Sequence, residues 1–313
     1  MQRHGSLDPR PAHQLAGCVV GVTGGTGFVG RHLVRRLLAH EATVRMLVRP
    51  GRAELAESEP AGGVLHRVCG DLADVTALAD LARGCRVVFH AAATASVPDS
   101  LADPLGCLET NTMGTARVSE ACRRAAVRRV VFLSTWAASA DARSGAAISP
   151  YAASKVAAEA AVQSYRASFD LPAVIVRLSN VYGPGQGRHA LIPYLLRAIL
   201  AGEPVRLSAP GIERDFVFVS DCVTALLRIG TAPEPVDSTV DLGSGELLSV
   251  ERVAEVIGEQ FGVAVSLRYD QSAGPLARPY RADVGPLLRA IGDWRHTSLS
   301  AGIRAMIGAL SPR

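Results

Sequence analysis

The chain has 313 residues, of which 48% are hydrophobic and 20% are charged. This balance is typical of a globular protein and excludes a fibrous or disordered one. The formal net charge of +4 is too small and too dispersed to indicate binding to nucleic acid. No uninterrupted apolar stretch approaches the ~20 residues of a membrane helix, and the first residues lack the apolar core of a signal peptide. We therefore expect a cytoplasmic protein with no membrane partner.

The spacing of the cysteines and histidines indicates no metal site. The six cysteines include no CxxC pair, and the sequence has no HExxH motif or paired-carboxylate spacing. We expect the cysteines to be reduced thiols that are mostly buried.

Strand and helix patterns alternate over the first part of the chain. Residues 1–15 contain prolines and polar side chains and predict a flexible tail. Strands are predicted at 18–22, 43–48, 64–68, 87–89, 130–133 and 173–176. Helices are predicted at 28–40, 75–83, 103–126 and 151–169. The alternation, with continuous apolar strands, predicts an α/β fold in which residues 16–180 form a Rossmann-type, doubly wound parallel sheet.

The rhythm changes after residue 180, where glycine and proline become more frequent and the strands shorter. Strands are predicted at 205–207, 216–219 and 239–241, and helices at 190–201, 220–229, 249–261 and 298–310. We interpret residues 181–313 as mainly a substrate-binding lobe, interleaved with the last elements of the sheet.

A glycine-rich turn, TGGTGFVG at 23–30, directly follows the first predicted strand and opens the first predicted helix. Gly24 permits a tight turn, Gly27 lets a pyrophosphate approach the backbone, and the helix N-terminus faces the anion. In this context the spacing predicts a dinucleotide site that also includes Phe28 and Val29. The alternative is a glycine-rich turn without a ligand.

The second predicted strand ends in Val48-Arg49, where an NAD site usually has Asp or Glu to hold the ribose 2′-hydroxyl. An arginine here can pair with a 2′-phosphate, so Arg49 favours NADP, with NAD as the alternative. A plain surface arginine is the other interpretation. After the third predicted strand, Asp71 and its neighbour Leu72 are candidates for the adenine side of the site.

Small residues end the fourth predicted strand, where they let the backbone approach a cofactor. These candidate cofactor contacts are Ala91, Ala92 and Ala93.

The only lysine of the chain, Lys155, follows Tyr151 by one helical turn, and the other 32 basic residues are arginine. Residues at this spacing share one face of a helix. A phenol has a pKa of about 10, and a nearby ammonium lowers it by stabilising the phenolate. Thr135 ends the fifth predicted strand, at the edge where open α/β sheets bind ligands. We predict that Thr135, Tyr151 and Lys155 are catalytic, and that Lys155 also holds the cofactor.

Together these motifs resemble the extended short-chain dehydrogenase/reductase family, in its nucleotide-sugar epimerase/dehydratase group. The resemblance covers residues 17–310 and rests on TGGTGFVG (23–30), GDL (70–72), HAAA (90–93), TNTMGT (110–115), FLST (132–135), YAASK (151–155), RLSNVYGPG (177–185) and RDFVFVSD (214–221). It implies that Thr135, Tyr151 and Lys155 form the catalytic triad. It also implies a homodimer through the helices at 103–126 and 151–169.

The same resemblance implies roles around a nucleotide-sugar substrate. Asn111 would order the active site and contribute to substrate binding, Asn180 would lie beside nicotinamide and sugar, and Arg214 would grip the nucleotide diphosphate. Arg278 would do the same from the C-terminal lobe, where the local pattern is looser. Structural alternatives are an ion pair of Arg214 with Asp215, a turn residue at Asn180 and a structural amide at Asn111.

One departure from the family pattern bears on the reaction. The 4,6-dehydratases of the family follow the threonine with Asp-Glu, whereas this chain has Trp136 and Ala137. No carboxylate is left there for water elimination, so dehydration is disfavoured. The short segment from Thr135 to Tyr151 is similar to that of the 4-ketoreductases that finish deoxysugars.

We therefore expect NADPH-dependent reduction of an NDP-4-keto-(6-deoxy)hexose by hydride transfer to C4. The alternatives are an NAD-dependent NDP-sugar 4-epimerase, which would use the same three residues, and a non-catalytic protein that senses dinucleotides.

Overall fold

The computed structural model of the protein describes residues 14–51, 62–139, 149–233, 236–270 and 279–310. The strands, in chain order, are β1 (Val19–Thr23), β2 (Thr43–Val48), β3 (Val64–Cys69), β4 (Val87–His90), β5 (Arg129–Thr135), β6 (Ala173–Leu178), β7 (Asn180–Tyr182), β8 (Val205–Leu207), β9 (Glu213–Arg214), β10 (Phe216–Phe218), β11 (Thr239–Leu242), β12 (Leu248–Ser249) and β13 (Leu267–Tyr269).

The helices are α1 (Phe28–Ala39), α2 (Val75–Ala82), α3 (Val97–Ala102), α4 (Pro104–Leu108), α5 (Gly114–Arg124), α6 (Pro150–Phe169), α7 (Leu191–Leu200), α8 (Val219–Thr231), α9 (Val250–Phe261), α10 (Gly285–Ile291) and α11 (Leu299–Leu310). A π-helical segment, Glu109–Met113, joins α4 to α5, and a 3₁₀ turn, Trp136–Ala138, follows β5. Within the described ranges, no helix has both the length and the apolar content needed to cross a membrane.

A seven-stranded sheet forms the centre of the molecule, in the order β11-β6-β5-β4-β1-β2-β3. Every neighbouring pair in it is parallel. The central strands are almost wholly buried because helices cover both faces, which is why their sequences are continuous apolar runs rather than alternating ones. The predicted doubly wound parallel sheet is confirmed.

Three apolar clusters surround this sheet. One cluster packs α1, α8 and α10 on one face, and the second packs α2, α5 and α6 on the other. The third lies beside the sheet and is built by α7, α9 and α11, with Leu195, Ile257 and Ile303 at its centre. The C-terminal part of the chain therefore contributes both to the sheet and to a hydrophobic centre of its own.

The strand order reverses its direction of travel between β1 and β4. In sheets of this type, ligands bind at the carboxyl ends of the strands beside such a switch point. The Thr23 end of β1, the His90 end of β4 and the Thr135 end of β5 all lie on that edge.

The sequence predictions differ from the structure mainly in the middle of the chain. The single helix predicted at 103–126 is interrupted by the π-helical segment, because the chain turns Asn111 inward there to reach buried polar partners. The short helices α3 and α10 were not predicted; each has a proline, Pro98 or Pro286, in its first turn, a position that a helix tolerates.

The flexible tail predicted for 1–15 is too long by at least one residue. Leu15 is fully buried in the first apolar cluster, while residues 1–13 lie outside the described ranges.

Candidate active site at the carboxyl edge of the sheet

The glycine-rich turn between β1 and α1 forms a cradle that side chains would fill. Gly24 has a φ of +71°, and a Cβ there would lie 2.5 Å from the Ala92 nitrogen. A Cβ on Gly30 would lie 2.0 Å from the Gly24 oxygen, so α1 can approach the turn only because Gly30 has no side chain. Gly27 precedes the first residue of α1, and no side chain caps that helix end. The cradle therefore fits a dinucleotide pyrophosphate, which backbone N–H groups would bind.

The half-buried side chains of Phe28 and Val29 begin α1, beside this cradle. The Phe28 ring packs edge-on against His32, whose Nε2 lies 2.9 Å from the Pro184 oxygen. The loop that follows β7 is thereby held against the start of α1.

The ends of β2 and β3 are paired at the far side of the cradle, with Val48 opposite Cys69. Arg49 is exposed at this edge. The Asp71 carboxylate accepts hydrogen bonds from the backbone of Ala73 (2.8 Å) and Asp74 (3.2 Å), so one of its oxygens holds a local turn. Leu72 is buried and fills the space left by Gly114 of α5.

The segment after β4 lies directly against the glycine turn. The Ala91 nitrogen donates to the Thr23 backbone oxygen, and the Ala92 nitrogen donates to Thr23 Oγ1, both at a distance of 3.2 Å. Ala91, Ala92 and Ala93 are all half-buried, as expected of a wall that a cofactor would cover.

The helix α6 starts just before the predicted catalytic pair. Ser149 caps it by accepting from the Ala152 nitrogen at 3.1 Å, and Pro150 occupies its first turn. The half-buried Tyr151 therefore lies in the first turn, where it is hydrogen-bonded to Thr135 at the end of β5. Lys155 lies one turn further along and is buried.

The pKa of Tyr151 is shifted upward, and this corrects one expectation. Burial raises the pKa of this phenol, the hydrogen bond with Thr135 lowers it, and burial dominates. Lys155, which was expected to lower that pKa, is not among the groups that shift it. Its Nζ donates to the Leu133 oxygen at 2.7 Å and lies 4.4 Å from the centre of the Phe132 ring. Burial also lowers the pKa of Lys155 to about 8, against the opposing effect of Glu159.

A cleft of about 680 Å³ opens in front of Tyr151 and Thr135. Asn180 lies on its wall at the start of β7, where its backbone and side-chain nitrogens both donate to the Asp215 oxygen at 3.0 Å. Arg214, at the end of β9, lies on the same wall. Four predicted residues therefore meet at one cleft: Thr135, Tyr151, Asn180 and Arg214.

Arg214 carries a half-buried positive charge, and Asp215 does not neutralise it. The Asp215 carboxylate is fully buried and accepts four hydrogen bonds from Ser244, Gly245 and Ala282 instead. Arg214 donates to the Glu213 backbone oxygen at 2.8 Å, and burial lowers its pKa. Within the described residues no carboxylate pairs with this guanidinium, so the cleft presents a cation suited to an anionic ligand.

Asn111 is buried and does not lie on the cleft wall. Its Oδ1 accepts from the Thr94 nitrogen at 2.8 Å, and its Nδ2 donates to the Thr94 oxygen (3.0 Å) and to Ser154 Oγ (2.9 Å). The Asn111 amide thus holds Thr94 against Ser154 of α6 behind the cleft. The remaining candidate, Arg278, lies outside the described residues.

Two features of the site were not predicted. Trp136 forms part of the cleft wall, with its ring stacked on Tyr280 at 5.9 Å and the Arg214 guanidinium 5.6 Å from its centre. The position next to Thr135 could have marked Trp136, but no sequence pattern joins it to Tyr280. The second feature is the buried His90, whose hydrogen bonds link distant segments.

The cysteines are free thiols, and four of the six are buried. Across the described ranges, no three His, Cys, Asp or Glu side chains are grouped as a metal ion would require.

A family model described as the NAD dependent epimerase/dehydratase family matches residues 20–243 of the chain. A UDP-glucose 4-epimerase of Mycolicibacterium smegmatis is 35% identical over 77% of this chain and 82% of its own length. A dTDP-6-deoxy-L-talose 4-dehydrogenase (NAD(P)(+)) of Kitasatospora kifunensis is 29% identical, over 93% and 95% respectively. Among solved structures, a UDP-N-acetylglucosamine 4-epimerase from Methanobrevibacter ruminantium, in complex with UDP-N-acetylmuramic acid, superimposes with a TM-score of 0.82 at 26% identity, over 95% of this chain and 100% of that one.

Proposed function

This chain belongs to the NAD dependent epimerase/dehydratase family, the extended short-chain dehydrogenase/reductases that act on nucleotide-diphosphate sugars, and we propose that it reduces an NDP-4-keto-(6-deoxy)hexose at C4 with NADPH. The observation that carries the proposal is one cleft that holds the Thr135–Tyr151 hydrogen-bonded pair and Arg214, a cation that no described carboxylate neutralises. A carbonyl at the pair and a diphosphate at the arginine are the two ends of such a substrate.

Each of these residues has its own role in the proposed reaction. When bound, the dinucleotide supplies the hydride. Tyr151 donates the proton to the sugar oxygen, and Thr135 orients that oxygen by a hydrogen bond. Lys155 lies one turn behind Tyr151 and holds the cofactor side of the site. Arg214 anchors the diphosphate, so binding energy far from C4 positions the sugar.

The lining of the cleft supports reduction over dehydration. Among the described residues on its wall, Arg214 is the only charged one, and none is Asp or Glu. Removal of water from a sugar needs an acid and a base on the protein. Trp136 and Ala137 occupy the place where the dehydratases of the family carry these groups.

The preference for NADP is supported by the exposed Arg49 at the end of β2, since residues 48–51, the described part of this strand end, include no carboxylate that could hold a ribose 2′-hydroxyl. The K. kifunensis relative is named for both NAD and NADP. The family itself is described by NAD, so the dinucleotide has to be identified directly.

An NDP-sugar 4-epimerase is the second candidate, and the names of the M. smegmatis relative and of the M. ruminantium structure favour it. The same three residues would oxidise C4 and then reduce it from the opposite face. The two reactions differ in the fate of the cofactor, because an epimerase regenerates its NAD within each cycle whereas a reductase must exchange NADP.

The first experiment identifies that cofactor. The purified protein is denatured, the released dinucleotide is identified, and fresh NADPH and NADH are titrated by fluorescence. Tight NADPH binding with little co-purified dinucleotide is the result expected of the reductase. Stoichiometric NAD that does not exchange would overturn the reductase and leave the epimerase.

We also propose that the protein is a homodimer through the helices at 103–126 and 151–169, which are α4, the π-helical segment, α5 and α6, with α3 beside them. This face exposes several large apolar side chains: Leu101, Leu105, Leu108, Met113 and Phe169. Such an apolar group is typical of a surface that another protein covers.

A further inference from the structure

A chain of buried hydrogen bonds runs beneath the segment 91–94, the wall between the glycine turn and the cleft. Thr23 Oγ1 lies 2.7 Å from His90 Nδ1, and His90 Nε2 lies 3.0 Å from Thr115 Oγ1. Thr115 Oγ1 in turn donates to the Asn111 backbone oxygen at 2.5 Å. Thr23, His90 and Thr115 are each at most 1% exposed, so no solvent competes for these bonds.

The direction of every bond in this chain follows from counting hydrogens. Thr115 gives its one hydroxyl hydrogen to a carbonyl oxygen, so it can only accept from His90, and His90 Nε2 must carry the ring hydrogen. In the neutral ring Nδ1 then accepts, and Thr23 donates to it. The Thr23 oxygen meanwhile accepts from the Ala92 nitrogen at 3.2 Å.

His90 is held in this neutral form. Burial is the larger cause and the nearby Lys155 ammonium the smaller, and together they lower the pKa of His90 to about 3. The imidazole is also stacked on Phe132, with 5.5 Å between ring centres. Its orientation is therefore fixed by packing as well as by two hydrogen bonds.

The far end of this series of hydrogen bonds reaches α6, the helix that carries Tyr151. Asn111 clamps Thr94 by two hydrogen bonds and donates to Ser154 Oγ, and Ser154 donates to the Tyr151 backbone oxygen at 2.7 Å. The segment 91–94 is thus fastened at Thr23 on one side and at Asn111 on the other, and His90 with Thr115 connects the two fastenings.

We propose that His90 is a positioning residue that couples the dinucleotide-binding turn to the start of α6, so that cofactor binding and the placement of Tyr151 depend on each other. The expected effect on dinucleotide affinity does not depend on the proposed catalysis. The part that concerns turnover rests on the proposed catalytic role of Tyr151.

The first test compares His90→Phe with a matched control. Phenylalanine keeps a flat ring against Phe132 and removes both nitrogens. We expect it to raise the Kd for NADPH and to lower kcat, each by about 10-fold or more, with the KM for the sugar nearly unchanged. His90→Gln, whose amide can donate to Thr115, should recover part of kcat. The control, Phe89→Leu, changes a buried apolar neighbour on β4 and should lower Tm while both constants stay within about twofold of wild type.

The second test measures coupling by dinucleotide binding, which requires no turnover. Thr115→Val removes one hydroxyl far from the glycine turn. It should raise the Kd for NADPH by at least about threefold in the wild-type background and leave it unchanged in the His90→Phe background. An equal effect in both backgrounds, or a His90→Phe protein that behaves like the Phe89→Leu control, would overturn the proposal. If Tyr151→Phe retains full turnover, the proposed catalysis fails while this binding cycle still decides the coupling.

Discussion

As the proposed proton donor, Tyr151 would have to exchange a proton although burial holds its pKa above the ordinary value. The hydrogen bond with Thr135 is the favourable local influence on that pKa, because it stabilises the phenolate. In the proposed mechanism the threonine would therefore both orient the substrate oxygen and lower the pKa of the acid.

Thr135→Val should lower kcat by about 100-fold, because it removes the hydroxyl that orients the substrate. A proton donor works only while protonated, so activity falls as the pH rises through its pKa. Loss of the Thr135 hydrogen bond raises the pKa of Tyr151, and the alkaline limb of kcat/KM should move to higher pH. Thr135→Ser, which keeps a hydroxyl, is the control. A limb that stays in place in the valine variant would mean that another group donates the proton.

Arg214→Ala should weaken the binding of UDP or TDP by roughly 10- to 100-fold, since a charge-assisted contact to phosphate is lost. Isothermal titration calorimetry with the free nucleotides measures this without turnover. Arg252→Ala is a suitable control, because Arg252 is an exposed arginine paired with Glu255 and Glu259. Unaltered nucleotide affinity in Arg214→Ala would remove the diphosphate from the proposal.

His90 makes stability depend on pH in a defined direction. Its pKa is lowered from 6.5 to about 3 on folding, so the folded protein binds fewer protons than the unfolded chain below pH 6.5. The contribution is fully present above pH 6.5 and is lost as the pH falls toward 3. It amounts to about 2 kcal/mol between pH 6.5 and 5.

Urea unfolding at pH 7.5 and pH 5 measures this loss. The wild-type protein should lose about 2 kcal/mol more than His90→Phe over the same interval. The difference between the two proteins removes the contribution of every other titrating group. Equal losses would show that His90 takes up its proton without unfolding.

At the scale of single elements, the sequence predicts the helices and strands that have a regular pattern of apolar residues. The strand β2 was predicted with its observed bounds, and the predicted α1 differs from the observed helix by one residue. In both elements the apolar residues that become buried follow a regular pattern within the element itself. The short strands β9 and β12 pair only with each other and were missed, since two residues carry no period.

In the candidate site, too, some residues were predictable from local pattern and others are brought together only by the fold. The glycine turn and the Tyr151–Lys155 pair were predictable because each lies within one local pattern, and Thr135 was predictable from its place at the end of β5. Trp136 with Tyr280, and Thr23 with His90, meet only through the fold, across separations that no local pattern spans. The shift of the Tyr151 pKa was predicted in the wrong direction, because the sequence shows a neighbouring ammonium but not the depth of burial.

The π-helical segment is the element whose shape matters most to the site. Its extra residue turns the Asn111 amide toward Thr94 and Ser154, where the amide nitrogen donates two hydrogen bonds and the amide oxygen accepts one. Asn111→Ala should lower the free energy of unfolding by about 2–3 kcal/mol, because it leaves buried polar groups without partners. Ser119→Ala removes a buried helix hydroxyl on α5 and should cost less than about 1 kcal/mol. Equal losses in chemical denaturation of the two variants would argue against a special role for the segment.

At the scale of the whole molecule, the apolar face formed by α3, α4, the π-helical segment, α5 and α6 predicts self-association. Leu105, the most exposed large apolar residue of this face, is 77% exposed. Leu105→Arg should convert a dimer into a monomer in light scattering coupled to size exclusion, because a charge would be buried in the interface. Leu288→Arg on the distant helix α10 is the control and should leave the mass unchanged. A wild-type protein that already elutes as a monomer would refute the dimer.

The solitary Lys155 gives the molecule a built-in reporter. Because every other basic side chain is an arginine, reductive methylation with ¹³C-formaldehyde can label only this ε-amine and the chain terminus. The amine is buried and its pKa is lowered to about 8, so the unprotonated, reactive form is well populated in mildly alkaline buffer while access is closed. The rate of labelling then measures how often the interior beside Tyr151 opens, and a single NMR resonance follows the chemistry of one chosen atom.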